Sequence, residues 1–297
     1  MINGFSHNIR RQKSVYLLSL FDKVDLMVQY NHERSEDLLS VNYQVVEDHL
    51  ASLRYAGLIQ HALMPDPYIL KGVLRDFFIL FLPKDIVSGD FYYTFSNRQF
   101  TCIAAGDCTG HGVPGALLSI LGISFLNEIL QSKAGVKANR VLNLMREKTM
   151  KALNQTGTRA ETRDSIDIGL CIIECGGGPL QYAGANRPMI RIRDGELSEF
   201  KPDKMTIGIA AQAEQPFTNI IIETKPGDSF YLFSDGFSDQ FGGITDKKFK
   251  YKQFKQTLLS VTGLSMATQK ECLEYSFKEW KGRSQQNDDV LVFGFQV

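Results

Sequence analysis

The stretch FTCIAAGDCTGHGVPGALLSILGISFLNEIL, residues 100–130, decides the fold. Its first part, Phe100–Ala105, is an apolar run suited to a strand, and it delivers the chain to Gly106 and Asp107. After the glycine-punctuated loop Gly110-His111-Gly112, the spacing predicts a helix over Val113–Leu130. Pro114 then falls in the first turn, where a missing amide proton costs little. A carboxylate is therefore carried between a rigid strand and a helix.

Toward the N-terminus, Phe77–Leu82 and Gly89–Phe95 read as strands, with turn signals at Pro83–Ser88 and Ser96–Arg98. Gly89–Phe95 and Phe100–Ala105 make a hairpin. Between Arg34 and Leu63, apolar residues recur at Leu39, Val46, Leu50, Leu53, Ala56 and Ile59, the spacing of an amphipathic helix that Met64–Tyr68, with its two prolines, ends. Toward the C-terminus, a second helix over Ala138–Leu153 and a polar break at Asn154–Asp164 lead into a strand at Ile166–Ile173. Strands follow at Leu180–Ala183, Met189–Arg193, Thr218–Glu223 and Ser229–Ser234, with turns at Asp194-Gly195 and Pro226-Gly227-Asp228. Helices at Lys247–Leu259 and Thr268–Trp280 precede a last strand, Asp289–Val297. With no repeat or long linker, this predicts an N-terminal helical segment over 1–65, a candidate regulatory or dimerisation element, and one α+β domain over 66–297.

Composition narrows the function. The 297 residues are 43% hydrophobic and 22% charged, so a packed core is expected. Lys plus Arg equals Asp plus Glu at 33 each, which leaves no net field to attract a polyanion, and nucleic acid is excluded as a partner on that ground. The run Lys247, Lys248, Lys250, Lys252 and Lys255 reads as a solvated face. Stretches such as Ile79–Pro83 and Ala116–Phe125 fall short of the roughly 20 apolar residues of a membrane span, and Met1–Arg11 lacks a signal-type apolar follow-on, so a cytoplasmic protein without a membrane partner is expected. The cysteines, at 102, 108, 171, 175 and 272, form no close CxxC pair; Cys171 and Cys175 are expected as buried thiols on one strand face. Gly176-Gly177-Gly178 lacks the Lys-Ser/Thr of a phosphate-binding loop and reads as a hairpin turn.

The candidate chemistry lies in aspartates that share a local grammar. Asp90 in Ser88-Gly89-Asp90-Phe91-Tyr92, Asp107 in Ala104-Ala105-Gly106-Asp107 and Asp235 in Phe233-Ser234-Asp235-Gly236 each adjoin an apolar strand and a small residue, and Asp288 beside Asp289 opens the last strand. Carboxylates on strand ends can converge while the strands fix their spacing, as a hard divalent cation requires. Acids so gathered repel one another unless a cation neutralises them. Each alone is weak evidence, since Asp-Gly is more often a turn than a ligand.

The ordered motifs IQHALMP at Ile59–Pro65, SGDFY at Ser88–Tyr92, GDCTGHGVPGA at Gly106–Ala116, AGANRP at Ala183–Pro188, FSDG at Phe233–Gly236 and Asp288-Asp289 resemble the metal-dependent protein phosphatases of type 2C (PPM), in the bacterial SpoIIE-like branch. The resemblance spans Ile59–Val297. It implies a four-layer α/β/β/α sandwich of two antiparallel sheets with helices outside, and hydrolysis of phosphoserine or phosphothreonine by water activated at two Mn²⁺ or Mg²⁺ ions. It further implies that Asp107 bridges the metals, the Cys108 carbonyl contributes to one, Asp90 serves the second, and Asp235 and Asp288 complete the first. Asp239 matches an acid that in some relatives holds a weaker third metal, with Asp164 a vaguer candidate. His111 matches a loop histidine that either moves a proton near the leaving group or caps its loop. Asn186 and Arg187 belong to a turn motif, for which a structural role is at least as good a reading as substrate recognition, and Lys84, Arg98, Arg159 and Arg163 stay open as phosphate ligands. Ser88 stands where the family usually has a second glycine, and Cys108 where Val is common.

The resemblance also suggests the substrate, a small anti-sigma-factor antagonist in a partner-switching pathway, and regulatory input through the helix leading into Ile59–Pro65, from a partner or a second copy of the chain. The segment Met1–Glu36 is too short for a large sensor domain. The alternative is a catalytically weak phosphatase fold kept as a regulatory binding module, which loss of two or more metal carboxylates would favour; Asp90, Asp107, Asp235 and Asp288 are all present.

Overall fold

The computed structural model describes residues 43–131, 137–156, 163–175, 178–209, 215–243 and 246–297. Leu39, Arg159, Gly176, Gly177 and the segment Met1–Glu36 lie outside them. The chain divides into two units, Met1–Tyr55 and Ala56–Val297, and the boundary falls inside a helix, α1, over residues 43–63. In the first unit α1 exposes Tyr43, Val45, Val46 and Tyr55. Its Gln44 donates to Asp48 at 3.0 Å, one turn on. Within the second unit, Gly57 lets α1 lie against the carbonyl of Ile86, which a β-carbon there would meet at 2.9 Å.

In the second unit a 3₁₀ turn, Pro67–Leu70, leads through β1 (Asp76–Leu82), β2 (Phe91–Ser96) and β3 (Phe100–Cys108) to α2 (Gly112–Gln131) and α3 (Ala138–Ala152). Then come β4 (Ile166–Glu174), β5 (Leu180–Ala185), β6 (Met189–Arg193), β7 (Glu196–Phe200), β8 (Ile220–Ile222) and β9 (Ser229–Phe233). The one-turn α4 (Gly236–Asp239), β10 (Phe241–Gly242), β11 (Lys247–Lys248), α5 (Tyr251–Ser260), α6 (Met266–Lys281) and β12 (Val290–Gln296) complete the chain. Two five-stranded sheets result, ordered β2-β3-β4-β5-β8 and β1-β12-β9-β6-β7, all neighbours antiparallel.

The period of two along the strands explains the layering. In β12, Leu291, Phe293 and Phe295 join the core between the sheets, while Val290 and Val292 face the α5 and α6 layer. Phe230 and Leu232 of β9 likewise point to one cluster, Tyr231 and Phe233 to the other. Strands buried on both faces become nearly continuous apolar runs. The helices α2 and α3 cover the outer face of the first sheet, where Leu126, Leu130, Val141, Leu142 and Met145 are buried. The four-layer sandwich implied by the resemblance, with an N-terminal helix, is the observed architecture.

Several elements depart from their sequence-based bounds. Lys247–Leu259 does not begin as a helix: Lys247 and Lys248 pair with Gly242 and Phe241. Phe249, buried against Phe237 and Trp280, holds the chain extended there, and α5 starts only at Tyr251. Strand β2 starts at Phe91 rather than Gly89, because the amides of Gly89 and Asp90 donate to side chains instead of the ladder. Cys175 is exposed, past the end of β4, which corrects the expectation of two buried thiols; Cys171 is buried, and all five cysteines are free. By length and composition alone α2 is a candidate membrane span, its most apolar window having a mean hydropathy of 1.7, but half of that window is buried in the fold.

Candidate active site

At the end of the first sheet, β3 and β4 place Asp107 directly opposite Asp167. Like charges facing across a ladder are destabilising. The cation that offsets them is Arg187. Its Nη2 lies 2.7 Å from Asp107 Oδ2, 2.8 Å from Asp235 Oδ2 and 3.7 Å from Asp167 Oδ2. The turn Ala185–Pro188 delivers it: Asn186 adopts φ 55°, a conformation short polar side chains tolerate, and donates to Asp167 at 3.0 Å. The Arg187 carbonyl is held by the Tyr182 hydroxyl at 2.5 Å.

Asp235 follows β9 and opens α4, whose Phe237 packs among Phe249, Phe254 and Phe277. Ser234 ties this segment to its neighbours. Its hydroxyl donates to Asp90 at 2.5 Å and accepts from the Leu291 amide at 2.9 Å. Asp90 is fully buried; burial, then the nearby Asp107 carboxylate, pushes its carboxyl well above the usual range. Burial likewise raises Asp107, to about 7, against the lowering pull of Arg187. Asp288 is also raised by burial, with the Asp289 amide pulling against it and the Asp235 carboxylate adding to it. Asp289 acts on the backbone instead. Its two oxygens accept from the amides of Lys84 and Gly89, both at 2.7 Å, and fix the loop that carries Asp90.

That loop is gripped from a second side by Gln60 of α1, buried among polar partners. Its amide nitrogen donates to the Ser88 carbonyl at 2.6 Å and to Ser119 Oγ at 2.8 Å, while its oxygen accepts from the Ser88 amide at 3.0 Å. Ser88, where the family usually has glycine, also caps the Asp90 amide at 3.1 Å. Gln60→Ala is expected to leave buried backbone groups unpaired, at a cost of roughly 1–3 kcal/mol. Thermal unfolding checks this; an unchanged midpoint would show that the loop holds without it.

The remaining candidates lie around this centre. His111 is exposed, its Nδ1 2.8 Å from Asp85 and its Nε2 3.0 Å from Lys84 Nζ. The ring thus ties its own loop to the segment of Lys84 and Asp85. Asp239 pairs with Lys248 at 2.7 Å. The Asp164 carbonyl accepts from Gln155 at 2.7 Å. The Cys108 carbonyl lies close to Gly89, where a β-carbon would come within 3.5 Å of it. Lys84 borders the cluster, favouring the charged form of Asp288.

Among the described residues, no three carboxylate, thiol or imidazole groups stand ready to hold an ion as placed. The donor set nonetheless fits a hard divalent cation: Asp90, Asp107, Asp167, Asp235 and Asp288 are oxygen donors, and Arg187 is the cation paired with three of them. Asp90, Asp107 and Asp288 have raised proton affinities, first from burial and then from the neighbouring carboxylates, a repulsion that a bound cation would relieve. Asp167 and Gln60 were not identifiable as site residues from local sequence, and Arg187 was visible there as a residue of the Ala183–Pro188 motif but not as a partner of the aspartates. Asp167 reads as the polar position of an alternating strand, and only its register opposite Asp107 reveals it.

The family model for Stage II sporulation protein E (SpoIIE) matches residues 97–297. The SiaA-PP2C domain of Pseudomonas aeruginosa is 30% identical, with a TM-score of 0.75, over 84% of this chain and 98% of that one. Two further structures share the fold. The PP2C phosphatase domain of SpoIIE from Bacillus subtilis, with a fragment of its regulatory domain, is 18% identical at TM-score 0.61, over 74% of this chain and 62% of that one. The PPM Ser-Thr phosphatase MsPP from Mycobacterium smegmatis, in complex with cacodylate, is 13% identical at TM-score 0.54, over 75% and 99%. No curated protein matches the chain. The sandwich and its acidic centre thus define a phosphatase-type hydrolase fold. The chain belongs to the bacterial SpoIIE-like branch of the PPM serine/threonine phosphatase family, which gives it a general phosphatase and signalling role.

Proposed function

We propose that the protein hydrolyses phosphoserine or phosphothreonine in a bacterial signalling protein, with two Mn²⁺ or Mg²⁺ ions held by Asp107, Asp90, Asp235, Asp288 and the Cys108 carbonyl. The observation that carries this reading is the convergence of Asp107 and Asp235, from different sheets, on one cation position, with buried Asp90 and half-buried Asp288 beside them. Divalent ions bound there would supply an acidified water and neutralise charge on the phosphoryl oxygens. The chain's own residues do the positioning. Asp107 is fixed by the β3–β4 ladder, Asp235 by the aromatic anchor of Phe237, and Asp90 by Ser234, Ser88 and the Asp289 and Gln60 clamps on its loop. Asp239 suits a weaker, peripheral third ion, because binding it there would first break an exposed ion pair with Lys248.

The substrate class proposed is a small anti-sigma-factor antagonist of a partner-switching pathway. Kinship with a SpoIIE phosphatase domain supports it. A phosphoproteome comparison between cells carrying Asp107→Asn and their parent tests this directly. Phosphoserine or phosphothreonine should accumulate on one or a few small proteins of that kind; an unchanged phosphoproteome would reject the assignment.

A further inference from the structure

Resting on that metal-site reading, we propose that Arg187 is the site's internal counter-cation: its guanidinium holds Asp107 and Asp235 together when no metal is bound, and a divalent cation must displace it from them to bind. A single nitrogen, Nη2, lies within hydrogen-bond distance of both acids, so it stands where an ion bridging those oxygens would stand. Asp167 adds a third carboxylate at 3.7 Å. The arginine side chain is largely buried, 15% exposed, so its contact with Asp107 is weakly screened, and that with the more exposed Asp235 less so.

A second observation shows that the arrangement does not satisfy the guanidinium. Arg187 Nε is buried with no hydrogen-bond partner among the described residues. A guanidinium offers five donors in a planar fork, and one placed for bidentate recognition would use Nε with a terminal nitrogen. Here Nη2 alone carries the carboxylate contacts, an arrangement that serves charge neutralisation rather than geometric recognition. The backbone that presents it is firmly set: the Asn186 amide donates to the Asp203 carbonyl at 3.0 Å and the Arg187 carbonyl is taken by Tyr182. Release of the acids therefore needs only side-chain rotation, not movement of the turn.

The consequence is a linkage with two signs. Without metal, Arg187 relieves repulsion among Asp107, Asp167 and Asp235 and stabilises the fold. With metal, the same charge competes for the same oxygens, so it weakens metal binding. A residue with a merely structural role would stabilise both forms alike.

The test uses the whole chain, purified with Mn²⁺ present so that a less stable metal-free form is not lost, as wild type, Arg187→Gln and Arg187→Lys. Mn²⁺ affinity is read by calorimetry with a competing chelator, and unfolding midpoints are taken without metal and at saturating Mn²⁺. Arg187→Gln should bind Mn²⁺ roughly tenfold or more tightly than wild type, since one buried like charge is removed. It should also melt below wild type without metal, and the gap should close at saturating Mn²⁺. Arg187→Lys, which keeps the charge, should stay near wild type. Equal or weaker Mn²⁺ binding by Arg187→Gln, or a melting deficit that persists at saturation, would overturn the role of Arg187 while leaving the metal site standing. A wild-type protein that binds no Mn²⁺ would overturn both.

Discussion

Asp107→Asn is expected to cut phosphate release by at least about 100-fold, the scale seen when a preorganised electrostatic contact to the reacting group is lost. The substitution preserves shape, but it removes the charge paired with Arg187 and shared between the two proposed ions. Folding should not suffer. Burial already disfavours the ionised form of Asp107, whose carboxyl is pushed up to about 7, so a neutral amide suits the metal-free site. The variant should therefore still fold and melt in one cooperative step, with the loss of the Arg187 pair partly offset by the relief of repulsion from Asp167 and Asp235, while activity collapses. Asp239→Asn, at an exposed ion pair with Lys248, should change the rate far less. Phosphate release and thermal unfolding measured on the same preparations check both statements; equal activity in the two variants would remove Asp107 from the bridging role proposed for it.

The second large effect is steric. Gly236 follows Asp235 where the chain passes over β12, and a β-carbon there would lie 1.9 Å from the Asp289 carbonyl oxygen and 3.3 Å from Val290 Cγ2. Neither the carbonyl nor the buried strand behind it can yield cheaply, since Asp289 also holds the amides of Lys84 and Gly89. Gly236→Ala should cost at least the roughly 1–3 kcal/mol of an overpacked core. It should also move Asp235 away from Arg187 and Asp107. A lowered unfolding midpoint together with lost Mn²⁺ binding is the expected result, and a wild-type midpoint would show that the two backbones separate freely.

The parts of this site that were legible in the sequence are those written in local grammar. Asp90, Asp107 and Asp235 each sit beside glycine or serine at a strand end, and the structure brings Asp107 and Asp235 onto a common cation with Asp90 buried close by. Strands with uninterrupted apolar runs, such as β9 and β12, were equally plain, because burial on both faces leaves no polar positions. What escaped was set by tertiary register. Asp167 is one polar residue in an alternating strand, and nothing near it in sequence says that Asp107 lies opposite. Gln60 reads as a polar point on an amphipathic helix, yet it is buried with both amide groups bonded to the Asp90 loop or its neighbours. Strand β7, Glu196–Phe200, alternates polar residues at a sheet edge and carries a weak apolar signal, although the Asp194-Gly195 turn before it has the positive φ angles of a tight hairpin. The lysine run does not follow its helical reading because one buried aromatic, Phe249, outweighs the helical preference of its neighbours.

Metal-dependent phosphoester hydrolysis is tested most directly by release of inorganic phosphate from phosphoserine and phosphothreonine peptides by the purified full chain. Release is expected with Mn²⁺ or Mg²⁺, with its loss on chelation and its return when the ion is restored. Folded protein that releases no phosphate with either ion would contradict the assignment of Asp90, Asp107, Asp235 and Asp288 to a catalytic metal centre.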